Sequence, residues 1–215
     1  MTAAGAGAIV SVVSFMDTMK NKFDILEFLK TRSLSWSALS SFEYDPEQWY
    51  DRYILAKEEP PSEEMLFGKL VGERLASDPT FMPHIPRLGT YEYELRCTLG
   101  KIPLIGFMDD YKPTTDMAEF KTGVKPWDQS RADSHGQIDM YLLQHYLINK
   151  VKPEDMTVNI YWMPTKKNGD FTVSFVDEKD VKVFPTRRTM RQVLEFGVRI
   201  NATVQAMQLY VNSRM

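Results

Sequence analysis

The chain has 215 residues, with 26 Lys and Arg against 29 Asp and Glu and a formal net charge of −3. Its length suits one domain with a sizeable core. Because the net charge is not positive, any contact with nucleic acid requires a local basic patch. The single cysteine, Cys97, excludes an internal disulfide framework and a four-cysteine zinc or iron–sulfur site. It fits a reducing compartment, so we expect a cytoplasmic protein.

The first 16 residues are rich in Ala, Gly and Val. They lack the positively charged start of a secretory signal, and their small residues precede the apolar ones instead of following them. No run reaches transmembrane length, so we expect no membrane association. We interpret residues 1–16 as a flexible tail and residues 17–215 as a single domain.

Four helices are predicted in the first third of the chain, at about residues 17–30, 35–42, 47–54 and 63–76. Their caps or first-turn residues are Asp17, Ser35 or Ser37, Pro46 and Ser62. In the fourth helix, Leu66, Leu70 and Leu75 are expected to pack inward. Glu73 in the same helix is interpreted either as a solvated side chain or as a carboxylate facing a neighbouring sheet.

Three strands are predicted next. Residues 90–99 alternate between apolar and charged side chains, which places Tyr91, Tyr93, Leu95 and Cys97 on one face. Short turns lead to strands at residues 102–111 and 117–122, so an antiparallel meander is expected. After an irregular polar stretch at 123–132, Asp133 or Ser134 is expected to cap a helix that ends near residue 149.

The remainder of the chain is predicted to form two strands and one helix. The strands are expected at residues 157–163 and 171–176, and Thr186 is expected to cap a helix that runs to about residue 212. In the preceding helix, Gln137 and Tyr141 are four residues apart and therefore share a face.

Acidic residues and a lysine lie where the second and third strands are expected to meet. Glu119 and Lys121 share one strand face, and Phe120 takes the other. If the two strands pair, Asp109 lies beside Glu119. Two carboxylates beside a lysine suit Mg²⁺, which binds a few carboxylates and takes other ligands from water and a phosphate substrate. An acid and a base at this spacing are also common on solvated sheet faces.

Five short motifs follow one another along residues 33–165. They are Ser35-x-Ser37-x-Leu39-x-x-Phe42, Phe67-Gly68-Lys69-x-x-Gly72-Glu73, Gly106-x-x-Asp109, Glu119-Phe120-Lys121-Thr122-Gly123 and Gln137-x-x-x-Tyr141. Each is weak alone, but five in this order resemble the PD-(D/E)XK nuclease superfamily, and most closely the RecB-type and phage lambda exonuclease-like nuclease domains.

This resemblance implies an α/β (α+β) fold with a restriction-endonuclease-like core, in which helices flank a central mixed sheet in the order α-β-β-β-α-β. Residues 17–215 would form a single nuclease domain with its catalytic core at about residues 62–165. The implied activity is metal-dependent hydrolysis of DNA phosphodiester bonds, as an exonuclease in recombination, repair, or phage or mobile-element DNA processing.

The resemblance also implies roles for individual residues. Asp109 and Glu119 would hold Mg²⁺ or Mn²⁺, helped by Glu73 and by the carbonyl of Phe120. Lys121 would orient the attacking water or neutralise charge on the phosphate. Gln137 and Tyr141 would position the site or the strand backbone. The expected nucleic-acid contacts are Ser35, Ser37, Lys125 and Arg131.

Two positions depart from the family pattern. Gly72 stands at the usual histidine, and Glu73 is the nearest substitute, although one residue along a helix turns the side chain by about 100°. Asp45 stands where iron–sulfur members have their first cysteine, so no cluster is expected. Asp110 is the alternative to Asp109, and because strand neighbours point oppositely, only one of them should face a metal.

Other functions are compatible with these residues. The chain could be a module that binds nucleic acid or a partner without cleaving, an enzyme for another phosphate or nucleotide substrate, or a subunit of a helicase–nuclease machine. It has no Walker-type loop, so a helicase or recombination partner would be a separate protein. The choice between double- and single-stranded DNA and the oligomeric state cannot be derived from these motifs.

Overall fold

A computed structural model describes residues 23–112, 115–170 and 172–215. The predicted tail, residues 1–16, and the predicted cap Asp17 lie outside these ranges. A six-stranded mixed sheet with helices on both faces forms the centre of the fold. Its strands are β1 (Thr90–Leu99), β2 (Ile102–Lys112), β3 (Asp116–Gly123), β4 (Thr157–Lys167), β5 (Val173–Phe175) and β6 (Lys182–Thr186). The predicted mixed α/β class is therefore confirmed.

The sheet order is β1-β2-β3-β4-β5, and β6 also pairs with β4. The first three strands form the predicted antiparallel meander. Strand β4 lies parallel to β3, and parallel neighbours require a crossover connection. That crossover contains a long helix, which gives the predicted order of one helix, three strands, one helix and one strand.

Seven α-helices flank the sheet in the described part of the chain. They are α1 (Ile25–Thr31), α2 (Trp36–Tyr44), α3 (Pro46–Trp49), α4 (Glu63–Ser77), α5 (Gln129–Asp133), α6 (Gly136–Asn149) and α7 (Met190–Arg214). A π-helical turn continues α3 to Ile54. Two predicted caps are present, because Ser35 and Ser62 each accept a hydrogen bond from a backbone N–H three residues later.

Three helix starts differ from the sequence prediction. Helix α1 begins at Ile25, because the carboxylate of Asp24 accepts the N–H of Leu26 at 2.8 Å and caps it. Helix α6 begins at Gly136, since the short helix α5 occupies the stretch that was predicted to be irregular. Helix α7 begins after Thr189 in a capping box with Gln192.

The predicted cap Thr186 instead ends β6, a strand that the residue pattern did not predict. Its hydroxyl donates to Asp133 at 2.7 Å. This bond ties the edge strand to helix α5, so Thr186 has a tertiary partner in place of a local one.

Two hydrophobic clusters fill the space on either side of the sheet. The larger cluster lies between the sheet and helices α1, α2, α6 and α7, and the smaller one lies under α4. Leu75 in α4 is buried as predicted, but Leu66 and Leu70 are 45% and 52% exposed, so their predicted inward packing is wrong. Val71 takes the buried position of that turn. None of the described helices is long and apolar enough to cross a membrane.

Candidate active site

The second and third strands separate where the acidic residues lie. Their ladder runs from Lys112↔Asp116 to Asp110↔Ala118 and then stops. The next pair would be Asp109 and Glu119. Instead, the carboxylate of Asp109 accepts the N–H of Phe120 at 2.6 Å. The side chain of Asp109 thus replaces a ladder bond and brings its carboxylate next to β3.

Glu119 and Lys121 lie on the face of β3 that is covered by α6. The Lys121 Nζ donates to Glu119 Oε1 at 2.5 Å and to Gln137 Oε1 at 2.7 Å. Glu119 is 2% exposed, whereas a quarter of the Lys121 side chain is exposed. The ammonium group therefore lies between a buried carboxylate and solvent. The ring of Phe120 packs near Tyr161 in the other cluster.

A chain of hydrogen bonds on α6 holds Lys121 in place. The amide nitrogen of Gln137 donates to the hydroxyl of Tyr141 at 2.6 Å, and that hydroxyl donates to the carbonyl of Phe107. His135 Nε2 lies 3.2 Å from the oxygen of Gln137. Because this oxygen also accepts from Lys121, the amide orientation of Gln137 is defined and the His135 nitrogen is the donor.

Burial dominates the electrostatics of this group. It raises the pKa of Glu119 above the usual value, although the charge and hydrogen bond of Lys121 and the nearby Tyr141 hydroxyl act in the opposite direction. Burial, and next the charge of Glu119, raise the pKa of Asp109 well above its usual value. Burial also lowers the pKa of His135 to about 4, so this imidazole is neutral at pH 7. Two carboxyl groups are thus held where a cation would favour their charged forms.

Asp110 points away from this group. Its two carboxylate oxygens accept the N–H groups of Leu88 at 2.6 Å and Gly89 at 3.0 Å, and the residue is fully buried. Asp110 therefore ties the loop before β1 to the sheet. The structure brings Asp109, Glu119, Lys121, Gln137 and Tyr141 together and places Asp110 elsewhere.

The structure does not bring Glu73 to the carboxylates. Its side chain on α4 is 62% exposed and pairs with Lys69 at 3.8 Å. Helix α4 covers the sheet face that carries Phe120, opposite to the face of Glu119. In the described ranges, no three His, Cys, Asp or Glu side chains lie together as a group of metal ligands. The site in this conformation is a pair of carboxylates with a lysine.

An open groove of about 640 Å³ begins at Lys121 and Gln137. It runs between α2 and the segment before α6, and it is lined by Trp36, Ser37, Ser40, Ser41, Tyr44, Thr122, Trp127, Arg131 and His135. The guanidinium of Arg131 lies 4.4 Å from the ring of Trp127. The groove therefore joins the lysine of the site to a hydroxyl-rich helix face and to an exposed cation.

Of the four residues predicted to contact nucleic acid, Ser37 and Arg131 line this groove. Ser35 caps α2, so its oxygen already accepts the N–H of Ala38 at 3.2 Å. Lys125 is exposed, outside the groove lining. The sequence prediction did not include three further groove residues, Trp36, Trp127 and His135. Two signals were available: Trp127 lies four residues before Arg131, and His135 lies two residues before Gln137.

Gly106 permits the close approach of α6 that sets Tyr141. A Cβ at this position would lie 2.5 Å from Gln144 Oε1 and 3.0 Å from the Tyr141 ring. We expect Gly106→Ala to lower the free energy of unfolding by about 1–3 kcal/mol, because an extra methyl group in a packed core forces its neighbours to shift. Urea denaturation measures this change. Gly123→Ala, with open space around its Cβ, should stay within about 0.5 kcal/mol; equal effects would contradict the packing account.

The comparisons with known proteins concern the fold. No protein-family model matches the sequence, and no curated protein matches it. Among solved structures, the chain is similar to a crystal structure from Eubacterium rectale named "Putative exonuclease", with 13% sequence identity and a TM-score of 0.50. The match covers 90% of this chain and 85% of that one. This chain therefore shares its mixed α/β architecture with that protein over nearly its whole described length.

Proposed function

We propose that this protein is a Mg²⁺- or Mn²⁺-dependent nuclease of the PD-(D/E)XK type that hydrolyses DNA phosphodiester bonds. The observation that carries the proposal is the buried Glu119 beside Asp109, hydrogen-bonded to Lys121, because that lysine lines an open groove. The similar fold of a protein named as an exonuclease supports the same class of activity. An exonuclease that takes double- or single-stranded DNA fits the resemblance best.

The donor set fits a divalent cation. Glu119 Oε2 is buried and has no hydrogen-bond partner among the described residues, and an unpaired buried carboxylate oxygen is costly unless a cation or a donor satisfies it. Carboxylate oxygens are the protein ligands that Mg²⁺ and Mn²⁺ prefer. Asp109 and Glu119 would hold the ion, and the Phe120 carbonyl remains a proposed ligand. When bound, the ion would neutralise charge on the phosphate and make water a stronger nucleophile.

The protein's own groups would orient the substrate. The Lys121 ammonium, held by Glu119 and Gln137, faces the groove and would attract a phosphate oxygen. Its position does not depend on the substrate, because Gln137 is itself fixed through Tyr141 to β2. Hydrolysis forms a bond between a water oxygen and phosphorus and breaks the bond to the leaving oxygen, which then takes up a proton. Lys121 would stabilise the charge that develops in that step.

The groove would hold the DNA strand next to the cleaved phosphate. Arg131 and the serine hydroxyls of α2 can contact phosphates, since charged and hydroxyl donors both bind phosphate oxygens. Trp36, half-buried on the groove wall, offers a ring on which a base could stack. Such contacts are independent of sequence, so we expect little preference for particular bases. A helicase or recombination protein would act as a separate partner.

A gel assay tests this function. Linear double-stranded, linear single-stranded and closed circular DNA are each incubated with the full chain in Mg²⁺, Mn²⁺ or EDTA. We expect metal-dependent loss of linear DNA while circles stay intact. Cutting of circles would show an endonuclease instead. Intact DNA of every form, although the protein binds the cation, would contradict the proposal and favour a module that binds without cleaving.

A further inference from the structure

Glu92 on the edge strand β1 lies opposite Asp109. The ladder between β1 and β2 pairs Tyr91 with Asp110 and Tyr93 with Met108. The residues between these pairs are Glu92 and Asp109, so the same register places them across from each other. Neighbouring strands lie about 4.7–4.9 Å apart, so a glutamate side chain on β1 is long enough to reach Asp109 on β2.

The backbone of Glu92 departs from strand geometry. Its φ is +49°, a left-handed conformation that is uncommon for residues other than glycine. The alternation of faces breaks here: Tyr93 packs against the larger hydrophobic cluster, whereas Tyr91 packs against the smaller one. The predicted common face of Tyr91 and Tyr93 is therefore wrong. The break lies across from Asp109, the residue at which the ladder between β2 and β3 ends.

The charge of Glu92 acts on the site. It contributes to the raised pKa of Asp109 and of Glu119, behind the larger effect of burial, and to the raised pKa of Tyr141. The exposed carboxylate of Glu92 thus affects side chains on three elements: Asp109 on β2, Glu119 on β3 and Tyr141 on α6. In the same group, Glu119 Oε2 is buried without a hydrogen-bond partner among the described residues. That oxygen indicates that the site accepts a positively charged ligand.

We propose that Glu92 is the third carboxylate of the cation site, supplied by the edge strand β1, and that it takes the place for which the sequence suggested Glu73. The proposal rests on the proposed function, because the cation is the one that the nuclease would use. It adds a residue outside all five motifs and moves the third ligand from a helix to the sheet.

Two of the three carboxylates are already in place. Asp109 and Glu119 are already adjacent through Phe120 and are fixed by hydrogen bonds. Three carboxylates repel one another unless a cation lies among them, which accounts for the exposed position of Glu92 and for the absence of a preformed group of three in the described chain. By contrast, Glu73 lies on α4, pairs with Lys69 and faces solvent.

Calorimetric titration of the full chain with Mn²⁺, without DNA, tests this assignment. We expect E92Q to weaken Mn²⁺ binding at least about tenfold, because divalent-cation affinity depends on the number of charged ligands. E92N, whose shorter side chain tolerates a positive φ, should lose affinity similarly. E73Q is the matched control and should stay within about twofold of the wild type. E119Q, which removes a buried ligand, should weaken binding more than E92Q does.

The outcomes separate the two proposals. Unchanged affinity in E92Q and E92N, or an equal loss in E73Q, overturns the role of Glu92 and leaves the nuclease proposal standing if the wild type still cleaves DNA. Weakened Mn²⁺ binding in E92Q and E92N, but not in E73Q, supports the role of Glu92, even if no DNA is cut and the proposed function fails. A wild-type chain that binds no Mn²⁺ overturns both. Thermal unfolding in EDTA confirms that each variant is folded.

Discussion

Glu119→Gln should lower the rate of DNA cleavage by about 10²–10³-fold, the usual loss when a group that stabilises transition-state charge is removed. The glutamine keeps the shape of the side chain and an oxygen that can accept from Lys121. It removes the negative charge that would hold the cation. Because Glu119 is buried and its pKa is raised by burial, loss of that charge should not unfold the protein. Initial rates on a linear duplex, with thermal unfolding of the same sample, measure both effects.

The matched control is Glu94→Gln. Glu94 lies on β1 but is exposed and pairs with Arg96 at 2.6 Å, a contact of little energetic value. Its replacement should leave the cleavage rate within about twofold of the wild type. If Glu119→Gln retained the wild-type rate in a protein shown to be folded, Glu119 would not be the cation ligand and the site would have to be sought elsewhere along the groove.

Replacing Asp by Asn should have opposite effects at the neighbouring residues Asp109 and Asp110: it should reduce cleavage at the first and stability at the second. Asp109→Asn should lower cleavage by about 10²-fold, since it removes a charge beside the reacting phosphate. Its side-chain oxygen can still accept the N–H of Phe120. The free energy of unfolding should therefore stay level or rise. Cleavage rates and urea denaturation of the purified variant test the two parts separately.

The pH dependence of stability follows from the raised pKa of Asp109, which burial and then the charge of Glu119 cause. Below the unfolded pKa of about 3.9, both states carry the proton. As the pH rises above that value, the unfolded state ionises first, so wild-type stability falls until the folded pKa is passed. Asp109→Asn removes this fall. In EDTA, the free energy of unfolding of Asp109→Asn should therefore exceed that of the wild type by more at pH 8 than at pH 4. Urea denaturation at the two pH values measures this difference.

Asp110→Asn should lower the free energy of unfolding by about 1–3 kcal/mol, the cost of leaving a buried donor unpaired. Both carboxylate oxygens of Asp110 accept backbone N–H groups, and an asparagine amide would set its NH₂ against one of them. Cleavage per folded molecule should remain near the wild-type rate. An inactive but stable Asp110→Asn, with an active Asp109→Asn, would show that the two roles are exchanged.

Local rules account for much of the fold. The alternation in residues 90–99 and the short turns after it predict the β1–β2–β3 meander, because each strand needs only its neighbour in sequence. Ser35 and Ser62 cap helices through bonds to N–H groups three residues away. The two-residue period likewise places Glu119 and Lys121 on one face, where they form a hydrogen bond.

The sequence predictions that were wrong concern residues whose position depends on contacts with residues far away in the chain. Leu66 and Leu70 satisfy the helical period but face solvent, because α4 meets the sheet through Val71 and Leu75 instead. Thr186 is a good capping residue, yet its hydroxyl bonds to Asp133, 53 positions away, and its backbone pairs with β4. No short pattern contains the strand or helix that supplies such a partner.

By itself, the sequence determined the core order of one helix, three strands, one helix and one strand, the shared face of Glu119 and Lys121, and the spacing of Gln137 and Tyr141. These follow from periods of 2 and 3.6 residues, which depend on the backbone alone. Only the tertiary structure decided that Asp109 leaves the ladder to meet Phe120, that Glu73 faces solvent, and that Glu92 lies opposite Asp109. Those positions depend on where β1, β2, β3 and α4 lie relative to one another, and that arrangement is set by burial of side chains far apart in the chain.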